Sequence, residues 1–141
     1  MNSVYSFSDI TMVISHPAVG QCTITGQGVG SITIARTNDL TQHDIAADGS
    51  VMVSKIITHN GTIAMSLQQT SEANNWIKKM VSYMTTAPTN DWVAASAIVS
   101  NHNTGETITI NGISPQKRPD ETFQNSGQQV TWTMMATEII G

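Results

Sequence analysis

The sequence predicts an α+β domain, mainly β: a twisted β-sandwich or split barrel with one docked α-helix. Three observations carry that expectation. Runs of β-branched and aromatic residues, broken by Gly, Asn and Pro, recur along the chain as strands and turns do. One apolar stripe at helical spacing, Ala73, Trp76, Ile77, Met80, Val81 and Met84, marks a single helix that packs on a sheet. The 141 residues form one domain, 1–141, large enough to bury a core without staples.

Each element follows from its own pattern. Val4–Ser15 is β-branched and aromatic and predicts the first strand. Gly20, Gly26, Gly28 and Gly30 then break the pattern and leave a short strand at Cys22–Thr25. Ser31–Thr37 alternates Ile32 and Ile34 against Ser31 and Thr33, as a half-buried strand does. Asn38–Gly49 is polar and predicts a long loop, a feature that in compact domains usually has a function. Val51–Thr58 and Thr62–Gln68 flank His59-Asn60-Gly61, a strong hairpin signal. The sequon Asn60-Gly61-Thr62 is read as a turn only.

Ser71 is the expected N-cap of the helix, and Pro88 closes the segment. Glu72, Asn75, Lys78, Lys79 and Ser82 form its polar face. A second hairpin is expected from Trp92–Ser100 to Thr107–Ile113, turning near Asn103-Thr104-Gly105. Pro115 and Pro119 bracket a predicted loop with Lys117 and Arg118. The last strand, Gln129–Ile139, places Val130, Trp132, Met134 and Ala136 on one face.

Composition narrows the function classes. Charged residues are 11% of the chain, against about 25% in ordinary domains. The net charge is -4, and six Lys and Arg in all argue against a basic nucleic-acid grip. Thr, Ser, Asn and Gln supply 52 residues. A polar, weakly charged surface repels copies of itself poorly, so much of it is expected to be covered by neighbours. Cys22 is the single cysteine, so no intrachain disulfide forms, and it is expected as a small strand or core residue. No basic-then-apolar leader and no run of about 20 apolar residues is present, so neither secretion nor membrane insertion is expected.

Catalytic constellations are missing. Gly26-Gln27-Gly28-Val29-Gly30 lacks the Lys-Ser/Thr of a phosphate loop and runs into a strand. His16, His43, His59 and His102 are expected in loops or turns, without metal-ligand spacing. Asp39, Asp44 and Asp48 do not fit a calcium loop and are expected to cap turns in solvent. No nucleophile–base pairing is in view, so neither an enzyme nor a cofactor is expected.

Several segments, taken in order, resemble one family. They are Tyr5-Ser6-Phe7-Ser8-Asp9-Ile10, Ile34-Ala35-Arg36-Thr37-Asn38-Asp39, Ala47-Asp48-Gly49 and Gly61-Thr62-Ile63. Leu67-Gln68-Gln69-Thr70-Ser71 with Asn74, Pro119-Asp120 with Phe123, Trp132, and Ile139-Ile140-Gly141 complete the set. Together they resemble the small tail tube proteins of contractile-tailed bacteriophages. Pro88–Ser100 does not take part, and the chain ends on one glycine where relatives are often Gly-Gly-rich.

The resemblance implies hexameric rings stacked into a hollow tube, with hairpins adding strands to one barrel around the lumen. It implies a sheath protein outside, a tape measure protein and passing double-stranded DNA inside, and baseplate and tail terminator proteins at the ends. The virion tail, assembled in the host cytoplasm, is the implied location, with no membrane. Asn38, Asp39, Asp44, Asp48 and Gly49 on the long loop are the candidate ring-stacking residues, and Arg36, just before it, is a candidate for an intersubunit ion pair with Asp39. Pro119 and Asp120 are further candidate intersubunit contacts. Asp39, Asp44, Asp48, Glu106 and Asp120 are candidates for acidic potential. Two alternatives remain: the tube of a bacteriocin or type VI-like injection machine, and a carbohydrate-binding β-sandwich using Trp92 or Trp132.

Overall fold

The computed structural model describes residues 6–25 and 29–141. The expectations placed on Val4, Tyr5 and Gly26-Gln27-Gly28 lie outside the described residues. The strands are β1 (Ile10–His16), β2 (Gly20–Ile24), β3 (Val29–Arg36), β4 (Thr41–Ile45) and β5 (Val51–Lys55). After β6 (Gly61–Gln68) comes the helix α1 (Glu72–Thr86), then β7 (Ala95–Asn101), β8 (Thr107–Lys117) and β9 (Gln129–Ile140). Seven strands form one antiparallel sheet in the order β2-β1-β7-β8-β9-β6-β3, curled into a half-barrel. Among the described residues, β4 and β5 pair only with each other.

Alternation builds the core. β6 buries Ile63, Met65 and Leu67, and its neighbour β9 buries Val130, Trp132, Met134 and Ala136. β1, β7 and β8 add Met12, Ile14, Ala97, Val99, Ile110 and Ile113. Against this face lies α1 through Ala73, Ile77, Met80, Val81 and Met84. Asn74 is buried beside them, although its residue type hides it from an apolar-stripe reading. Its side-chain carbonyl accepts the indole N–H of Trp132 at 2.8 Å, and its amide donates to the Gln69 carbonyl at 3.1 Å. The helix start is therefore tied to the first third of β9. Ser71 caps the helix by accepting the Asn74 N–H. The helix stops at Thr86 because Pro88 holds Ala87 in extended backbone.

Bulges make the sheet curl. Gly112 has φ +64° and is an extra residue in β8 opposite β7, between the pairs Ala95–Ile113 and Ser96–Asn111. The buried residues Ile110 and Ile113 are consequently three apart, not two. A Cβ at Gly112 would run into the side chain of Thr137 on β9.

Several local expectations are corrected. The first strand begins at Ile10, after a 3-10 turn at Phe7–Asp9. Asn38–Gly49 is not a loop throughout, because it contains β4. Asn60-Gly61 does not turn a hairpin: β5 pairs with β4, and β6 pairs with β3 and β9. Gly61 serves close approach instead, since a Cβ there would strike the Ala35 carbonyl and Ile139. Trp92 lies in a 3-10 turn, Thr89–Val93, and the strand begins only at Ala95. Pro115 and Lys117 are not in a loop but in β8, where Pro115 pairs with Met134 of β9 and lies beyond the end of the β7 pairing, so that side of the strand is an edge.

Candidate assembly interface

β4 and β5 form an arm between β3 and β6. All ten of its residues are exposed, including Ile45, Val51, Met52 and Val53. Its root is braced by Asn38, whose amide donates to Thr58 Oγ1 at 2.7 Å and to Asn60 Oδ1 at 2.8 Å. The Ile56 N–H donates to the Leu40 carbonyl at 3.0 Å and continues the ladder toward the body. At the tip, Asp48 accepts both the N–H and the hydroxyl of Ser50, at 3.0 and 2.6 Å. Those bonds, the hydroxyl one first, hold the Asp48 carboxyl below its ordinary range. Gly49 completes the turn with φ +88°.

The candidate residues from the sequence divide into two places. Arg36 and Asn38 line an open groove of about 600 Å³ at the arm root, with Leu40, His59, Glu106, Ile108 and the C-terminal residues Ile139, Ile140 and Gly141. Asp39 follows on the same segment, Asp44 is on β4, and Asp48 and Gly49 are at the tip. Pro119 and Asp120 are elsewhere, in a hollow with Lys117, Arg118, Thr131 and Thr133. Sequence reasoning missed the apolar residues of the arm and the isoleucine-lined groove. Their signal is apolar side chains beside the polar segment, and exposure is what gives it meaning.

Among the described residues the sheet edges are β2 and β3, and β3 is bulged at Gly30. Neither contains Pro, and the single charge is Arg36 at the end of β3. The sheet face away from α1 carries Ser31 and Thr33, Thr62 and Ser66, and Thr131 and Thr133 on adjacent strands. Some of these groups bond each other: Ser66 donates to Gln129 Oε1 at 3.1 Å, and Ser15 and Ser96 are 3.2 Å apart.

Other candidate groups have structural partners. His16 is buried at the end of β1 and not in a loop. Its Nδ1 accepts the Ala18 N–H at 3.1 Å, which leaves Nε2 to donate to the Asp91 carbonyl at 3.3 Å. Tyr83 donates to the Asp91 carboxylate at 3.0 Å, a bond that raises its hydroxyl pKa. His43 lies in β4, not in a loop. Burial and then the charge of Glu72 raise the Cys22 thiol, which dulls it as a nucleophile. Among the described residues no group of three or more His, Cys, Asp or Glu is placed to hold a metal ion. No helix among them is long and apolar enough to cross a membrane. Trp132 is 1% exposed, so it offers no platform to a sugar.

A curled sheet with open edges, a hydroxyl-rich outer face and a projecting apolar arm are surfaces that suit a structural subunit. The sequence profile of the Bacteriophage PhiTE tail tube protein family matches residues 2–140. The chain belongs to that family and is a structural tail tube subunit.

Solved structures share the fold at low identity. One is the sheath-tube complex of an extracellular contractile injection system (PVC) in its extended state: 15% identity, 92% of this chain and 86% of that chain covered, TM-score 0.54. The anti-feeding prophage baseplate structure gives 7% identity, 99% and 96% coverage and a TM-score of 0.67. The tube-terminating cap of the anti-feeding prophage gives 12% identity, 99% and 91% coverage and a TM-score of 0.59. No curated protein matches the chain.

Proposed function

We propose that the subunit closes into hexameric rings that stack into a hollow conduit for viral double-stranded DNA. The observation that carries this reading is the arm: ten exposed residues with a cluster of large aliphatics that a solitary chain leaves in water. Arg36, Asn38, Asp39, Asp44, Asp48 and Gly49, at the arm and its root, make the ring-to-ring contact. Pro119 and Asp120 make a separate contact between subunits. The open edges β2 and β3 extend the sheet from copy to copy, which satisfies their free N–H and C=O groups. The bare face of Ser and Thr faces the lumen. A wall with few charges neither grips nor strongly repels phosphates, so DNA slides past it.

The sheath protein lies outside this tube, the tape measure protein and DNA lie inside, and baseplate and terminator proteins cap its ends. Assembly takes place in the host cytoplasm, and the subunit performs no catalysis. Negative-stain electron microscopy of the purified protein, with sizing chromatography, tests the reading. Rings or hollow tubes of uniform width are expected. Irregular aggregates, or a strict monomer at every concentration, would count against self-assembly through these surfaces.

A further inference from the structure

The fold buries His16 and uses both of its ring nitrogens. The residue closes β1 in register with Gly20 of β2 and is 2% exposed. Pro17 brings no N–H to the turn that follows, so the Ala18 N–H is the first donor there. It donates to His16 Nδ1 at 3.1 Å, and His16 Nε2 donates to the Asp91 carbonyl at 3.3 Å. The ring meets Tyr83 of α1 edge-on, with centroids 5.4 Å apart and planes at 72°. Tyr83 in turn donates to the Asp91 carboxylate at 3.0 Å. One neutral imidazole thus ties three segments together: the β1–β2 turn, the helix and the 3-10 turn at Thr89–Val93. Asp91 lies in Pro88–Ser100, which takes no part in the family resemblance, so that resemblance assigns the cluster no role.

The arrangement suits only the neutral ring. A neutral imidazole donates from one nitrogen and accepts at the other, whereas an imidazolium only donates. A second proton on His16 must go to Nδ1, where it would face the Ala18 N–H donor to donor. Histidine is the side chain that changes charge in the physiological pH range. The groups packed around the ring do not undo the conflict. Tyr83 comes from α1, Asp91 from the 3-10 turn, and Cys22 stands on the same face of β2, in register with Ile14. On that face β7 brings Ala95 and Ala97, neither of which titrates. Asp91 is the one charge in this set, and it attracts an imidazolium. That attraction returns no acceptor to the Ala18 N–H. Pro17 and Ala18 are exposed, so the conflict is relieved at the turn, which opens into water with little apolar surface lost.

We propose that His16 is an acid-released pin: protonation at Nδ1 frees the Ala18 N–H, opens the β1–β2 turn and loosens β2, while the rest of the sheet holds. The turn is held while the ring is neutral and released as pH falls through the His16 titration. β2 is a sheet edge, and in the proposed tube it meets a neighbouring copy. On that reading acid weakens the contact between subunits, so tubes come apart once His16 is protonated. This consequence rests on the tube reading; the pin itself does not.

Nitrogen-15 NMR of the histidine rings, in solution or by magic-angle spinning, tests it, with amide hydrogen exchange on the same samples. At neutral pH His16 should be the Nε2–H tautomer. On acidification, the protection factors of residues 18–24 should fall at least about tenfold, the scale of one buried hydrogen bond lost, in step with His16 protonation. Those of β6 and β9 should not change. His16→Asn should abolish the response, because its Oδ1 accepts the Ala18 N–H as in an Asx turn and does not titrate. An Nδ1–H tautomer at neutral pH, or the same acid loss in His16→Asn, overturns the pin. Should His16→Asn fail to fold, the native chain decides: a loss that follows the exposed His43, His59 or His102 instead of His16 overturns it as well. Tubes that persist in acid after the turn has opened overturn the consequence for assembly and leave the pin standing. A turn that opens with His16 in a protein that never forms tubes supports the pin and counts against the tube reading alone.

Discussion

Strands β6 and β5 are drawn from similar sequence and have opposite fates. β6 buries Ile63, Met65 and Leu67 completely between β3, β9 and the helix. β5 leaves Val51, Met52 and Val53 in water, with only β4 for company. Aliphatic content therefore says that a strand will be covered, not by which chain. The sheet uses its apolar residues to fold one subunit, and in the proposed tube the arm holds its own for another. The proposed tube thus assigns folding and assembly to separate parts of the molecule, and substitutions in the two should separate them.

The largest effect is expected at the centre of the sheet. Trp132→Ala removes the largest fully buried side chain and should cost about 3–5 kcal/mol in a chemical denaturation series. Gly112→Ala comes next. A positive φ costs an L residue about 1–2 kcal/mol, and displacing Thr137 adds about 1–3. The same titration reads it, and an unchanged midpoint would remove the bulge from the account. Asn74→Ala leaves the buried Trp132 N–H without its acceptor and should cost about 1–3 kcal/mol. Each of these lowers assembly only by lowering the folded population.

The smallest effect is at the arm tip. The folded pKa of Asp48 is depressed, so its turn is favoured once pH exceeds the unfolded value and loosens as pH falls through the folded value. Amide chemical shifts of Ser50 should follow that acid transition while the sheet resonances do not. A Ser50 shift that stays constant through acid pH would mean the carboxylate does not hold the turn.

The helix was legible because its cues were local. Apolar spacing, the Ser71 cap and the Pro88 stop all lie within one segment and need no partner. β9 was legible for a related reason, since half-burial imposes alternation on Val130, Trp132, Met134 and Ala136. β4 was not. Both faces of Thr41–Ile45 are exposed, so burial never imposed a period on it. Asn60-Gly61 misled because glycine meets two different needs. At Gly61 it permits close approach without positive φ, whereas at Gly49 and Gly112 it supplies positive φ. The acidic candidates were legible as turn and loop residues in the case of Asp48, but the groove was not, because Arg36, Ile108 and Ile140 meet only in three dimensions.

Replacing Thr41–Lys55 by a short Gly-Ser linker tests the division of labour most directly, with thermal unfolding and electron microscopy on the same sample. The expected result is a folded monomer that melts within about 2–4 °C of the parent, corresponding to no more than about 1 kcal/mol for a domain of this size, and forms no tubes. Tubes of normal width from the armless protein, or a subunit that no longer folds, would contradict an arm that serves assembly and not the fold.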